Sequence, residues 1–171
     1  SDVCSSDLYR EYFKPIWRWS DAFQNDFAAR AEWCVKSYDE ANHPPVVVLN
    51  NPLDIDASPG STIKLNAEDT YDPDGDQLTF RWWQYEEADR FDGKIEIKNA
   101  GSVNASIEIP EEIEDNTTIH IICEVRDNGT PQLTRYQRVI ISVRPARLLA
   151  FPSAEGYGKY SRGGRGGVVY E

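Results

Sequence analysis

Between Pro44 and Pro145 short apolar runs alternate with turns rich in Asp, Gly, Pro and Asn. The runs are VVVL (46–49), TIKLNA (62–67), LTFRWWQY (78–85), KIEIK (94–98), ASIEI (105–109), TIHIICEVR (118–126) and YQRVIISVR (136–144). None is long enough for a helix of ordinary length, and Pro44 and Pro45 turn the chain away from helix at the outset. Seven short strands in about 100 residues are the pattern of an immunoglobulin-like β-sandwich. The turn DNGT (127–130) between the last two runs reads as a hairpin signal. The expected fold is therefore mainly β: a seven-stranded sandwich over residues 44–145.

The flanks differ in composition. Residues 9–43 are aromatic-rich, and Phe23, Phe27, Ala31 and Cys34 recur at helical spacing. A helix of about three turns is expected there, capped near Asp21 or Asn25. Its aromatics exceed what one isolated helix can bury, so residues 9–43 read as the end of a further domain. Residues 146–171, ARLLAFPSAEGYGKYSRGGRGGVVYE, form a Gly-rich, irregular, basic tail. Residues 1–8, SDVCSSDL, resemble the translation of a sequencing-adapter end and are set aside as an artefact.

Charge narrows the partners. The chain of 171 residues carries a net charge of −11, nearly all of it within residues 44–145. An acidic surface argues against nucleic acid or an anionic membrane as partner. No apolar run approaches the roughly 20 residues that span a bilayer. Neither Cys34 nor Cys123 sits in a metal or redox spacing. His43 and His120, in a linker and a strand, read as structural.

Two features carry candidate chemistry. In RWWQY (81–85) neighbouring side chains point to opposite faces. Leu78, Phe80 and Trp82 share the more apolar face, so Trp82 is the expected core tryptophan. Arg81, Trp83 and Tyr85 then share the outer face. A flat aromatic pair beside a cation suits the apolar faces of sugar rings, with hydrogen bonds from Arg81 and from Gln84 or Glu86. Packing of Trp83 against a neighbouring domain would leave the same signature. The second feature is the acidic turn AEDTYDPDGDQL, with Asp69, Asp72, Asp74 and Asp76. The loop after the sixth strand brings Asp127 and Asn128 to the same end of the sandwich. Clustered hard oxygens suit Ca²⁺, though the spacing is not that of an EF-hand. A tight turn demands the same residue types.

DPDGDQLTFRWW resembles the repeated domains of polycystin-like and cell-surface proteins. WRWSDAFQNDFAARAEWC, YDEANHPPVVVLN, DPDGDQLTFRWWQYEEA and TIHIICEVRDNGTPQLTRYQRVIISV together resemble a bacterial cellulose-binding protein family. In that family a nucleoside-hydrolase-like N-terminal domain precedes an immunoglobulin-like C-terminal domain. The resemblance implies a secreted or periplasmic bacterial protein that binds cellulose or another plant polysaccharide. It also implies an intramolecular nucleoside-hydrolase-like partner, of which residues 9–43 would be the last helix. FPSAEGYGKYSRGGRGGVVYE is similar to the opening of β-helix pectate lyases.

The expected function is a non-catalytic carbohydrate-binding module, with Arg81, Trp83 and Tyr85 as contacts. The structural alternative is a spacer sandwich whose Trp83 packs on the helix of residues 17–34. The enzymatic alternative is hydrolysis of a glycosidic or N-ribosyl bond by the intact parent. No acid/base pair can be placed in this segment from its sequence. The sequons at Asn104, Asn116 and Asn128 would matter only in a eukaryotic secretory host.

Overall fold

A computed structural model of the chain describes residues 5–113 and 117–144. The expectations for residues 1–4 and for the tail from 146 onward lie outside the described residues, as does the sequon at Asn116.

Helix α1 spans Ser5–Trp33. Among the described residues seven strands follow: β1 (Asp54–Ala57), β2 (Thr62–Asn66), β3 (Thr79–Gln84), β4 (Ile97–Lys98), β5 (Asn104–Glu108), β6 (Thr117–Arg126) and β7 (Thr134–Val143). They form two sheets, ordered β1-β7-β6-β3 and β2-β5-β4. All neighbours are antiparallel except β1, which runs parallel to β7. The immunoglobulin-like sandwich read from the sequence is borne out.

The core lies between the sheets and follows from alternation along the strands. Leu65, Ile107, Ile119, Ile121, Val125, Val139 and Ile141 are fully buried. Trp82 is 2% exposed and sits among them. Its indole N–H donates to the Ser102 carbonyl at 2.9 Å, so the one polar atom it buries is satisfied.

Three local expectations need correction. VVVL at 46–49 is not a strand: Val46 makes one isolated bridge to Tyr71, while Val47 and Leu49 pack on the core. The first strand is instead DIDA at 54–57, held to β7 through its backbone. The fourth strand shrinks from KIEIK to Ile97–Lys98. The helix is 29 residues long rather than about three turns, so Asp21 and Asn25 lie inside it and cap nothing.

The packed face of α1 also differs from the expected stripe. Phe23 and Phe27 are 74% and 69% exposed. The face toward the sandwich carries Trp19, Asp26, buried Ala29 and Trp33. Asn25 donates to the Gln132 carbonyl at 2.9 Å, and Arg135 reaches Asp26 at 2.9 Å. At the helix end the Trp33 indole N–H donates to the Asn42 carbonyl at 2.8 Å. These bonds lay the helix across the outer face of the β1-β7-β6-β3 sheet. Among the described residues no helix is long and apolar enough to cross a membrane.

Candidate functional site

The pairing of β3, β6 and β7 fixes what faces outward. Trp83 stands opposite Ile122, and Arg81 opposite Glu124. Glu124 in turn stands opposite Tyr136 on β7. The outer face of this sheet therefore carries Trp83, Arg81, Glu124 and Tyr136 side by side, and α1 covers part of it.

Trp19 of α1 reaches into this group. Its ring centroid lies 5.7 Å from Trp83, 6.3 Å from Tyr85 and 4.6 Å from Tyr136, the last two edge-on. The Arg18 guanidinium lies 5.3 Å from the Trp83 ring centroid and 5.6 Å from that of Tyr85. Both Arg18 terminal nitrogens bond Glu87, at 2.5 and 3.0 Å. Trp83 is half-buried as a result, and so is Tyr85.

Glu124 organises the floor. It is only 5% exposed. One oxygen accepts from the Trp83 indole N–H at 3.1 Å, and the other pairs with Arg126 at 2.6 Å. A buried carboxylate needs such partners to stay charged. Burial raises the Tyr136 hydroxyl above its ordinary pKa, and the charge of Glu124 adds to this.

Between α1 and this sheet lies an open cleft of about 700 Å³. Trp19, Trp83 and Tyr136 line it, with Arg81, Gln84, Glu86 and Lys94 at its polar rim. Arg81 and Trp83, both expected on the outer face, meet here. Tyr85 supports Trp83 edge-on at 5.9 Å and does not line the cleft. The sequence reading missed Trp19, Tyr136 and Glu124. A signal for the last two was present, since pairing the strands brings both beside Arg81.

The acidic turn forms a separate network. Asp72 Oδ1 accepts from the amides of Asp74 and Asp76, at 2.9 and 3.2 Å, while Gly75 takes φ 80°. Asp74 accepts from the His43 amide at 2.5 Å and faces its Nδ1 at 3.0 Å. The His43 ring stacks with both Trp33 and Tyr38. Asp127, 1% exposed, accepts from the amides of Leu133 and Gly129 and from the Asn42 side chain. Asn128 accepts from the Gln77 amide at 2.8 Å, and Asp69 is exposed. Burial raises the pKa of Asp76, and the charges of Asp72, Asp127 and Asp74 raise it further. Among the described residues, no group of three or more His, Cys, Asp or Glu side chains is arranged to hold a metal ion. Of the carboxylates that read as calcium ligands, Asp72 accepts from backbone amides, Asp74 meets His43, and Asp127 meets backbone amides and Asn42.

Residues 62–143 match the family model described as cellulose-binding protein Sde0182, C-terminal domain. A solved structure of a nucleoside hydrolase-related hypothetical protein from Saccharophagus degradans, associated with carbohydrate metabolism, is 44% identical with a TM-score of 0.71. The match covers 74% of this chain and 32% of that one, so the chain spans about a third of that protein's length. The resemblance to a bacterial cellulose-binding protein family with a nucleoside-hydrolase-like partner domain is borne out by both. The PKD domain of the KIAA 1837 protein is 17% identical with a TM-score of 0.41, covering 64% of this chain and 95% of that one. Mouse clustered PcdhgC3 EC1-3 is 18% identical with a TM-score of 0.35, covering 64% and 35%. At these scores the last two carry no argument. No curated protein matches the chain.

Proposed function

We propose that the chain is a non-catalytic carbohydrate-binding module that takes a plant cell-wall glycan into the cleft between α1 and β3. The observation that carries this reading is the cleft itself, lined by Trp19 of the helix and by Trp83 and Tyr136 of the sheet, with a polar rim. Aromatic faces cover the C–H faces of sugars, and a few placed polar groups fix orientation. The likeness of residues 62–143 to the C-terminal domain of a cellulose-binding protein supports the substrate class. The cleft carboxylates have cationic neighbours: Glu87 pairs with Arg18, Glu124 with Arg126, and Glu86 lies 3.8 Å from Lys94. This favours binding over acid/base turnover. The site of action would be outside the bacterial cytoplasm, where such glycans are met.

A second reading has its own observation. Trp19 and Arg18 already rest on Trp83 and Tyr85. In this reading the sandwich is a buttress, and the outer aromatics anchor the helix that leads to a nucleoside-hydrolase-like domain.

Depletion of the full chain from solution by insoluble cellulose and xylan separates the two. Wild type is expected to be depleted, and Trp83→Ala to lose most of that binding while keeping its far-UV spectrum. If wild type is not depleted, and Trp83→Ala only lowers the melting temperature, the buttress reading replaces the first.

A further inference from the structure

The charges in the cleft do not balance, and the imbalance runs against the rest of the molecule. Four cationic side chains line it against three carboxylates, in a chain whose net charge is −11. Each of those carboxylates has a cationic neighbour within 4 Å, as described above. Arg81 is left over. It is exposed, lies beside Trp83 on β3, and has no ion-pair partner among the described residues. Glu124 faces it across the strand pair, but both Glu124 oxygens are engaged, one by Arg126 and one by the Trp83 indole.

A guanidinium without a partner at the rim of an aromatic cleft is a ready donor fork for a planar oxyanion. Local positive charge favours an anionic group here in a chain that is acidic as a whole. A neutral glucan would leave that fork facing water. A sugar that carries a carboxylate would meet it while its ring lies on Trp83.

We propose that the glycan bound in this cleft carries uronic acid, and that Arg81 reads its carboxylate. This rests on the carbohydrate-binding reading and narrows it to acidic polysaccharide.

The test uses the full chain and three soluble ligands: an oligogalacturonide, the same oligosaccharide with its carboxylates methyl-esterified, and cellohexaose. The ester keeps the sugar and removes only the charge. At low ionic strength the acid is expected to bind about tenfold more tightly than the ester, the worth of one charge-assisted bond. Added salt should shrink that ratio. Arg81→Gln should bring the ratio close to one, while Arg81→Lys should keep part of it. Equal binding of acid and ester by wild type, or an unchanged ratio in Arg81→Gln, would overturn the assignment. Binding of cellohexaose with no preference for the acid would overturn this inference alone. Failure of all three ligands to bind would overturn it together with the reading on which it rests.

Discussion

Glu124 shows how one side chain fixes a surface. Its carboxylate holds the Trp83 indole on one side and Arg126 on the other from a position almost closed to water. Asn42 plays the matching part at the far end of the helix connection. It donates to Asp127 at 3.0 Å and to the Pro131 carbonyl at 2.8 Å. Gly129 lies so close to the Asn42 side chain that a Cβ there would collide with it. Asn42→Ala leaves the buried Asp127 oxygen unpartnered and should cost about 2 kcal/mol in chemical unfolding. A loss below a few tenths of that would show that water replaces the amide. At this scale the alternation of RWWQY was legible: Trp82 inside, Trp83 outside. Glu124 was not, because an acid within a strand reads as a solvated outer-face residue until a helix is known to cover that face. The acidic turn was legible as a cluster, but its bonds to backbone amides and His43 depend on coordinates that composition does not carry.

The helix α1 carries two stripes at helical spacing. Ile16, Phe23 and Phe27 are the more apolar and are exposed. Trp19, Asp26, Ala29 and Trp33 are the mixed set that meets the sandwich. Apolar content points to the wrong stripe here because the sandwich offers mixed partners, aromatic rings for Trp19 and Arg135 and the Gln132 carbonyl for Asp26 and Asn25. The β1 segment misleads for a related reason. An edge strand held by backbone pairing needs few inward side chains, so DIDA is quieter than VVVL. The contact of the helix with the sheet can be measured by a double-mutant cycle of Trp19→Ala and Trp83→Ala. A coupling of about 1 kcal/mol is expected for rings at this separation. Additive losses would mean that the two rings do not support each other.

Across the whole molecule, charge sets the pH response. Asp76, Asp89 and Asp127 are raised above the ordinary carboxylate value of 3.8, each first by burial. A raised group binds its proton more tightly when folded, so its ionised form costs stability above that window. The cost disappears as pH falls through the raised value to 3.8. Asp26 acts in the opposite sense: burial opposes its charge, but bonds from Arg30 and Arg135 hold it below its ordinary value. Asp76→Asn removes one member of the repelling set, and among the described residues the Asp76 carboxylate makes no hydrogen bond that the change would break. It should raise the melting temperature near neutral pH, and the gain should vanish below about pH 4. A gain that persists in acid would point to packing rather than charge. The cleft itself joins a helix and a sheet far apart in sequence, which is why residues of β3 alone could name only half of it. The most direct test is backbone and indole NMR of the full chain during titration with soluble cell-wall oligosaccharides. Shifts are expected to converge on Arg81, Trp83, Lys94 and Tyr136, with the Trp83 indole N–H among the largest. Shifts confined to other surfaces, or none with any glycan, would contradict the carbohydrate-binding reading.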